Sequence, residues 1–186
     1  QDDAAFAEAM KSFEACPLPT EVFNCFLPGT LNIFGDAVNT EGLDRHVTRT
    51  FDRLRRVGAE ILVFGSGGAR RVPEGFPLEK VRAQYRAFLL KIAEHAERNR
   101  VTVALEPLRD KEANWLHRVS EGLEWVREIK HPRIKVLGDI FHMASMNESF
   151  DVLAAAGADL VHLHACRSDR KAPMDLSDQP LADFLK

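Results

Sequence analysis

Five short apolar segments alternating with amphipathic stretches constrain this chain more than any other feature. The segments are EVFNCFLP (21–28), AEILVFGSGG (59–68), VTVALEP (101–107), IKVLGDIFH (134–142) and DLVHLHA (159–165). The second is almost continuously apolar before it enters a glycine loop, the pattern of a strand covered on both faces. Residues 41–57 place Leu43, Val47, Phe51 and Leu54 at three- and four-residue spacing, with an Arg-rich opposite face, and stop at Gly58. That periodicity predicts an amphipathic helix. The same spacing predicts helices over 78–98 (Leu78, Val81, Tyr85, Phe88, Leu89, Ile92) and 113–130 (Leu116, Val119, Leu123, Val126), and a shorter one is expected over 147–157. A helix over 2–14, carrying Phe6, Met10 and Phe13, precedes the first strand, and LADFLK (181–186) reads as the opening turns of another. Strands and helices in this alternation specify a parallel α/β fold of about five βα units.

An open doubly wound sheet and a closed barrel both satisfy that pattern, and the polar residues at the strand ends favour the barrel. Glu106, Asp139 and His164 sit at the ends of three successive strands. A barrel gathers successive strand ends around one axis, whereas an open sheet concentrates its site at a switch point, usually with a phosphate-binding first loop. GSGGARRVP (65–73) lacks the spacing GxGxxG and follows the wrong strand for such a loop. Its glycines are expected to let the chain turn tightly over the barrel rim. The expected architecture is therefore a (β/α)8 TIM barrel, with residues 1–186 forming a single domain that covers about strands 3 to 7 and is truncated at both ends. A whole barrel typically needs about 250 residues.

Composition narrows the partners. With 45 % hydrophobic residues the chain can bury a real core. Its 25 Lys and Arg against 28 Asp and Glu give a formal charge of -3, which offers no broad electrostatic reason for a nucleic-acid or membrane surface. Cys16, Cys25 and Cys166 follow no CxxC spacing, as expected of reduced thiols in a cytosolic protein. No apolar run reaches the length of a membrane span, and the acidic start QDDAAFAEAM lacks the pattern of a signal peptide. A cytoplasmic protein is expected.

A carboxylate at the close of a buried strand is costly unless a cation or a set of donors meets it. Glu106 stands in that position before Pro107, and Asp139 repeats it after Gly138. An ion pair with Arg109 for the first, and a helix N-cap for the second, are the ordinary alternatives. His162 and His164 share one face of their strand because side chains alternate. His164 lies nearer the C-terminal rim and is the expected ligand, with His162 a deeper hydrogen-bonded residue. Two carboxylates and an imidazole suit Mn²⁺, Co²⁺ or Mg²⁺, with Zn²⁺ also admissible, and no nearby cysteine pair suggests a structural zinc site. His142 can reach the same space. Arg70, Arg71, Arg109, Arg167 and Arg170 surround it, Arg170 being the favoured substrate contact, and Trp115 and Phe141 are candidate apolar walls.

These residues fall into three motifs, EPLRDKE (106–112), GDIFHM (138–143) and HLHACRSDR (162–170). Together they resemble the xylose-isomerase-like TIM-barrel superfamily, most closely its ketose 3-epimerase and hydroxypyruvate isomerase branch. The resemblance implies that Glu106, Asp139 and His164 bind a divalent metal ion, and that Glu106 is also one of two acid/base carboxylates. It implies that Glu112, His142 and Arg170 hold substrate oxygens. The fourth ligand and second carboxylate of such enzymes is a glutamate at the end of the eighth strand, expected beyond residue 186. Two departures stand out. Many such epimerases carry Asn then Arg between the two glutamates, where this chain runs Pro107, Leu108, Arg109, Asp110, Lys111; and Ala165 and Cys166 replace a common Gly-Glu.

The implied activity is a metal-dependent isomerisation or epimerisation of a small sugar, cyclitol or hydroxy-keto acid through an enediolate, with a polyhydroxy or keto compound as substrate. Charge that develops on deprotonation beside a carbonyl is what a bound cation stabilises. A metal-dependent lyase or dehydratase, and a non-catalytic binding barrel, are the alternatives. A related barrel that cleaves abasic DNA needs extra early-strand histidines, and here His46, His95, His117 and His131 fall in helices or their junctions. By analogy with the superfamily, a homo-oligomer is possible.

Overall fold

The computed structural model describes residues 2–172, 177 and 181–185. Its elements run α1 (Asp3–Ala15), β1 (Val22–Phe23), α2 (Thr40–Val57), β2 (Ile61–Phe64), α3 (Leu78–Asn99), β3 (Thr102–Leu105), α4 (Val119–Ile129), β4 (Ile134–Asp139), α5 (Ile140–Ser145), α6 (Asp151–Ala156), β5 (Leu160–His164) and α7 (Leu181–Phe184). Every strand pair is parallel, and the spatial order β1-β2-β3-β4-β5 repeats the sequence order. A doubly wound sheet reverses its order at a switch point; this one does not, and it curls through 210°. The five units are part of a (β/α)8 barrel.

Alternation divides each strand between two environments. Leu62, Phe64, Val103, Leu105 and Val136 pack into the helix layer with Phe51, Tyr85, Phe88, Leu89, Ile92 and Leu123. Burying one such side chain contributes roughly 1.5–3 kcal/mol, so this layer supplies the main cohesion of the sheet and its helices. Val63, Ala104 and Leu137 cluster on the opposite face with Ile61 and Val161. Continuing that alternation upward from Ala104 and Leu137 puts Glu106 and Asp139 above the small inner cluster. The ladder pairs Leu137 with His162 and Asp139 with His164, which aligns the two histidines with the same face.

Four elements differ from the sequence expectation, each for a local reason. The strand expected over 21–28 keeps ladder pairing only at Val22 and Phe23, because Cys25 turns to φ 59 and the Leu27 N–H bonds the Ser66 hydroxyl at 2.9 Å. Residues 113–118 are not helical. Leu116 adopts φ 65, its carbonyl accepts the Leu108 N–H at 3.1 Å, and His117 Nδ1 lies 2.9 Å from the Leu108 carbonyl. Helix α4 therefore starts at Val119, capped from a distance by Glu148, whose carboxylate accepts the N–H groups of Val119 (2.8 Å) and Ser120 (3.0 Å). The strand expected over 134–142 ends at Asp139, which caps α5 instead. The helix expected over 147–157 begins only at Asp151, after Asn147 at φ 49. Among the described residues, no helix is long and apolar enough to cross a membrane.

Candidate metal centre

Glu106 follows β3, and Asp139 and His164 close β4 and β5. Their side chains converge, offering three ligand atoms within 4.8 Å of one another. His164 Nδ1 lies 2.7 Å from Glu106 Oε1 and 3.6 Å from Asp139 Oδ2. All three side chains are mostly covered, at 12 % exposure for Glu106, 10 % for Asp139 and 26 % for His164. Asp139 takes the helix N-cap role that was its ordinary alternative and at the same time faces the cluster. Its Oδ1 accepts the N–H groups of Phe141 (2.9 Å) and His142 (3.0 Å), while Oδ2 faces the histidine.

The electrostatics of this cluster favour a cation. The carboxylates of Asp139 and Glu106 push the His164 imidazole up to about 9, against the opposing effect of its partial burial. Burial alone would raise Asp139, but His164 and the backbone N–H of His142 outweigh it and hold the carboxyl below its usual value. Two carboxylates sharing a covered pocket thus draw a positive charge between them. Two hard oxygen donors and one imidazole within one pocket fit a divalent ion, without specifying which.

The shell around the cluster contains residues that sequence reasoning undervalued. Arg70, expected at most as a peripheral substrate contact, is fully buried, and its Nη2 donates to the main-chain carbonyl of Glu106 at 2.8 Å. It anchors the backbone from which Glu106 projects. Gly65 and Gly67 do more than turn the chain. A Cβ on Gly65 would lie 2.1 Å from Glu106 Oε2, and one on Gly67 would lie 2.5 Å from the Glu112 carbonyl oxygen. The loop after β2 therefore presses against the end of β3, and only residues without a side chain permit that approach. Close approach of glycine to a strand end was the available sequence signal, but nothing local names the partner.

Toward the rim, Glu112 Oε1 accepts hydrogen bonds from Arg109 Nε and Arg170 Nη1, both at 2.8 Å. Both guanidinium groups lie against the Phe141 ring, at 4.8 and 4.6 Å from its centroid. His142 is buried and links this group to the metal cluster. Its main-chain N–H bonds Asp139, and its Nδ1 accepts the Arg109 N–H at 3.4 Å. Burial holds this imidazole below its usual value. Thus Glu112, His142 and Arg170 come together beside Glu106, Asp139 and His164. His162 stacks edge-on against His164 at 5.1 Å and is outside the ligand cluster. Trp115 packs instead with Phe34, Tyr85 and Trp125, Arg71 is exposed, and Arg167 pairs with Asp169 at 3.5 Å.

The model of the family described as xylose isomerase-like TIM barrel matches residues 2–186. The chain belongs to this family. Within it, the chain is similar to a D-psicose 3-epimerase of Ruminiclostridium cellulolyticum, 33 % identical over 84 residues that make up 45 % of this chain and 29 % of that protein. It is also similar to a probable ketose 3-epimerase of Synechocystis sp., 37 % identical over 105 residues, or 53 % of this chain and 35 % of that protein. Among solved structures, a D-psicose 3-epimerase determined with D-fructose superposes with a TM-score of 0.82 at 22 % identity, over 99 % of this chain and 64 % of that one. A 3-keto-D-glucoside 4-epimerase from E. coli superposes at 0.80 and 20 % identity, over 98 % and 72 %. The structural likenesses establish the family fold. The chain spans less than two thirds of the D-psicose 3-epimerases it resembles.

Proposed function

We propose that this chain carries one side of the active site of a divalent-metal-dependent epimerase or isomerase acting on a small sugar, cyclitol or hydroxy-keto acid. The convergence of Glu106, Asp139 and His164 within 4.8 Å, on three successive parallel strand ends, carries the reading. The likeness to ketose 3-epimerases supports the substrate class. Residues 1–186 belong, in this proposal, to a single barrel domain whose further strands lie elsewhere in the protein, as the 210° curl of the sheet suggests.

In this scheme Glu106, Asp139 and His164 hold the ion, with Mn²⁺, Co²⁺ and Mg²⁺ the leading candidates and Zn²⁺ admissible. An ion held there would supply Lewis acidity toward the negative charge that develops beside a substrate carbonyl. Glu106 takes or returns the proton on the carbon beside that carbonyl, giving an enediolate. The Arg70 contact to its main-chain carbonyl fixes the backbone from which that carboxylate reaches. Glu112, His142 and Arg170 orient substrate oxygens, while Phe141 floors the rim. The balanced charge of the chain supports a small-molecule substrate over a nucleic acid, three unbridged cysteines support a cytoplasmic location, and self-association is part of the proposal by analogy alone.

Replacement of Glu106 by Gln tests the catalytic role. Loss of a positioned acid/base group costs about 10²–10⁴-fold in rate, so E106Q should lose turnover by that factor while melting near wild type. Retained activity in a metal-loaded E106Q protein would contradict the role.

A further inference from the structure

The loops that follow β2 and β3 are fastened to each other by one side chain outside the metal cluster. Asn114 takes both main-chain groups of Val72: its Oδ1 accepts the Val72 N–H and its Nδ2 donates to the Val72 carbonyl, each at 2.9 Å. A main-chain N–H only donates and a carbonyl only accepts, so the partners fix which way the carboxamide points. The pair imitates one rung of a sheet between two loops. Val72 is the fixed side of it. The N–H groups of Ala69 and Arg70 both bond the Ser66 carbonyl, at 3.0 and 3.1 Å, and the Ala69 carbonyl accepts the Ile33 N–H at 3.0 Å. The loop after β3 is the moored side. It closes at its base where the Leu108 N–H meets the Leu116 carbonyl at 3.1 Å. Leu116 closes it in the left-handed region, at φ 65, a conformation that leucine keeps only where surrounding contacts hold it. Glu112 lies within this closed loop, two residues before Asn114, and its main-chain carbonyl rests against Gly67.

We propose that Asn114 is a positioning residue for the substrate, acting through Glu112: its two bonds to Val72 lock the closed loop in the place from which Glu112 addresses the site. The proposal rests on the metal-dependent epimerase or isomerase reading, in which Glu112 orients substrate oxygens. Glu106 is held separately, by its own N–H to the Phe64 carbonyl at 3.2 Å and by Arg70 at its carbonyl. Release of the lock therefore leaves the metal ligands in place and loosens the orienting carboxylate. An orienting contact made equally in the ground state and the transition state sets KM and not kcat.

The test uses the full-length protein loaded with Mn²⁺, with D-fructose as the probe and exchange of its carbon-bound proton in D₂O giving kcat and KM. Asn114→Ala should raise KM about tenfold and leave kcat within about twofold. Asn114→Asp, which keeps the shape but sets a second oxygen against the Val72 carbonyl, should act in the same direction. Lys111→Gln removes an exposed charge from the same loop and should change neither constant. A double-mutant cycle separates positioning from a general loss of structure. In an E112Q background N114A should lower kcat/KM by less than about twofold, because the group it positions is already altered. The full tenfold loss in that background, or a loss confined to kcat, would overturn the proposal. Hydrogen exchange by NMR reads the lock without any substrate: N114A should speed exchange at the Val72 N–H and also at the Arg109 Nε–H, which Glu112 Oε1 accepts at 2.8 Å. Faster exchange at Val72 alone would show that the lock does not reach Glu112 and would overturn the proposal. A wild-type protein that turns over neither D-fructose nor another ketose counts against the epimerase reading, and the Val72 and Arg109 signals then decide the lock by themselves.

Discussion

Replacing Gly65 by alanine should separate the metal site from the fold. Gly65 directly follows β2, and an added Cβ would lie 2.1 Å from Oε2 of Glu106 and 3.2 Å from its Cδ. Real Cβ atoms do not approach closer than 3.0 Å, so the carboxylate must retreat by about 1 Å. The backbone accepts the change, because Gly65 is not among the residues in the left-handed region. A Gly-to-Ala change at a compatible position favours folding by about 0.4–1 kcal/mol through the unfolded chain. Forcing the Glu106 side chain off its rotamer costs about 0.5–1.5 kcal/mol. The two effects nearly cancel, so the melting temperature should move by no more than about 4 °C. The site has no such compensation. A disturbed supporting contact typically costs about 10–100-fold in metal affinity, and a misplacement of about 1 Å can cost about 100-fold in rate. Mn²⁺ titration calorimetry paired with thermal unfolding in chelator reads both quantities on one preparation. A folded G65A protein with wild-type metal affinity would refute the geometry assigned to Glu106.

Two further outcomes test separate parts of the structure. Glu148→Ala should destabilise the protein by about 1–2 kcal/mol, the usual worth of an N-cap, because the Val119 and Ser120 N–H groups lose their shared acceptor; chemical denaturation measures it, and metal affinity should not change. Metal uptake should weaken as pH falls, because the His164 imidazole, pushed up to about 9 by its carboxylate neighbours, must release its proton to bind an ion. Below that value the apparent dissociation constant should rise by about tenfold per pH unit, with close to one proton released per ion in buffers of different ionisation enthalpy; pH-independent uptake would contradict the assignment of His164.

Much of the fold was legible because periodicity reports which face of an element is covered. Leu43, Val47, Phe51 and Leu54 do line the buried face of α2, and the strand cadence yields a parallel sheet in sequence order. The misplaced boundaries share a cause: contacts from distant residues override local preference. Leu116 turns left-handed inside an otherwise helical pattern, and the cap of α4 comes from Glu148, 29 residues onward from Val119. At Asp139 the signal was local, since an Asp before an apolar run is a helix start, yet Ile140 and Phe141 continued the strand pattern equally well. The strand-end positions of Glu106, Asp139 and His164 could be read from the chain, and so could family membership from the three motifs. The burial of Arg70, the contact of Gly65 with Glu106 and the sharing of Glu112 by two arginines could not, because each joins residues far apart in sequence or depends on loop geometry with no periodic signature.

The most direct measurement is hydrogen–deuterium exchange by NMR on the full-length protein in D₂O, with ketoses, hydroxypyruvate and inososes, before and after removal of the metal. The account predicts exchange at a carbon beside the carbonyl of at least one compound, lost on chelation and restored by a divalent ion. Exchange that survives complete metal removal, or a metal-loaded protein that exchanges none of them, would contradict it.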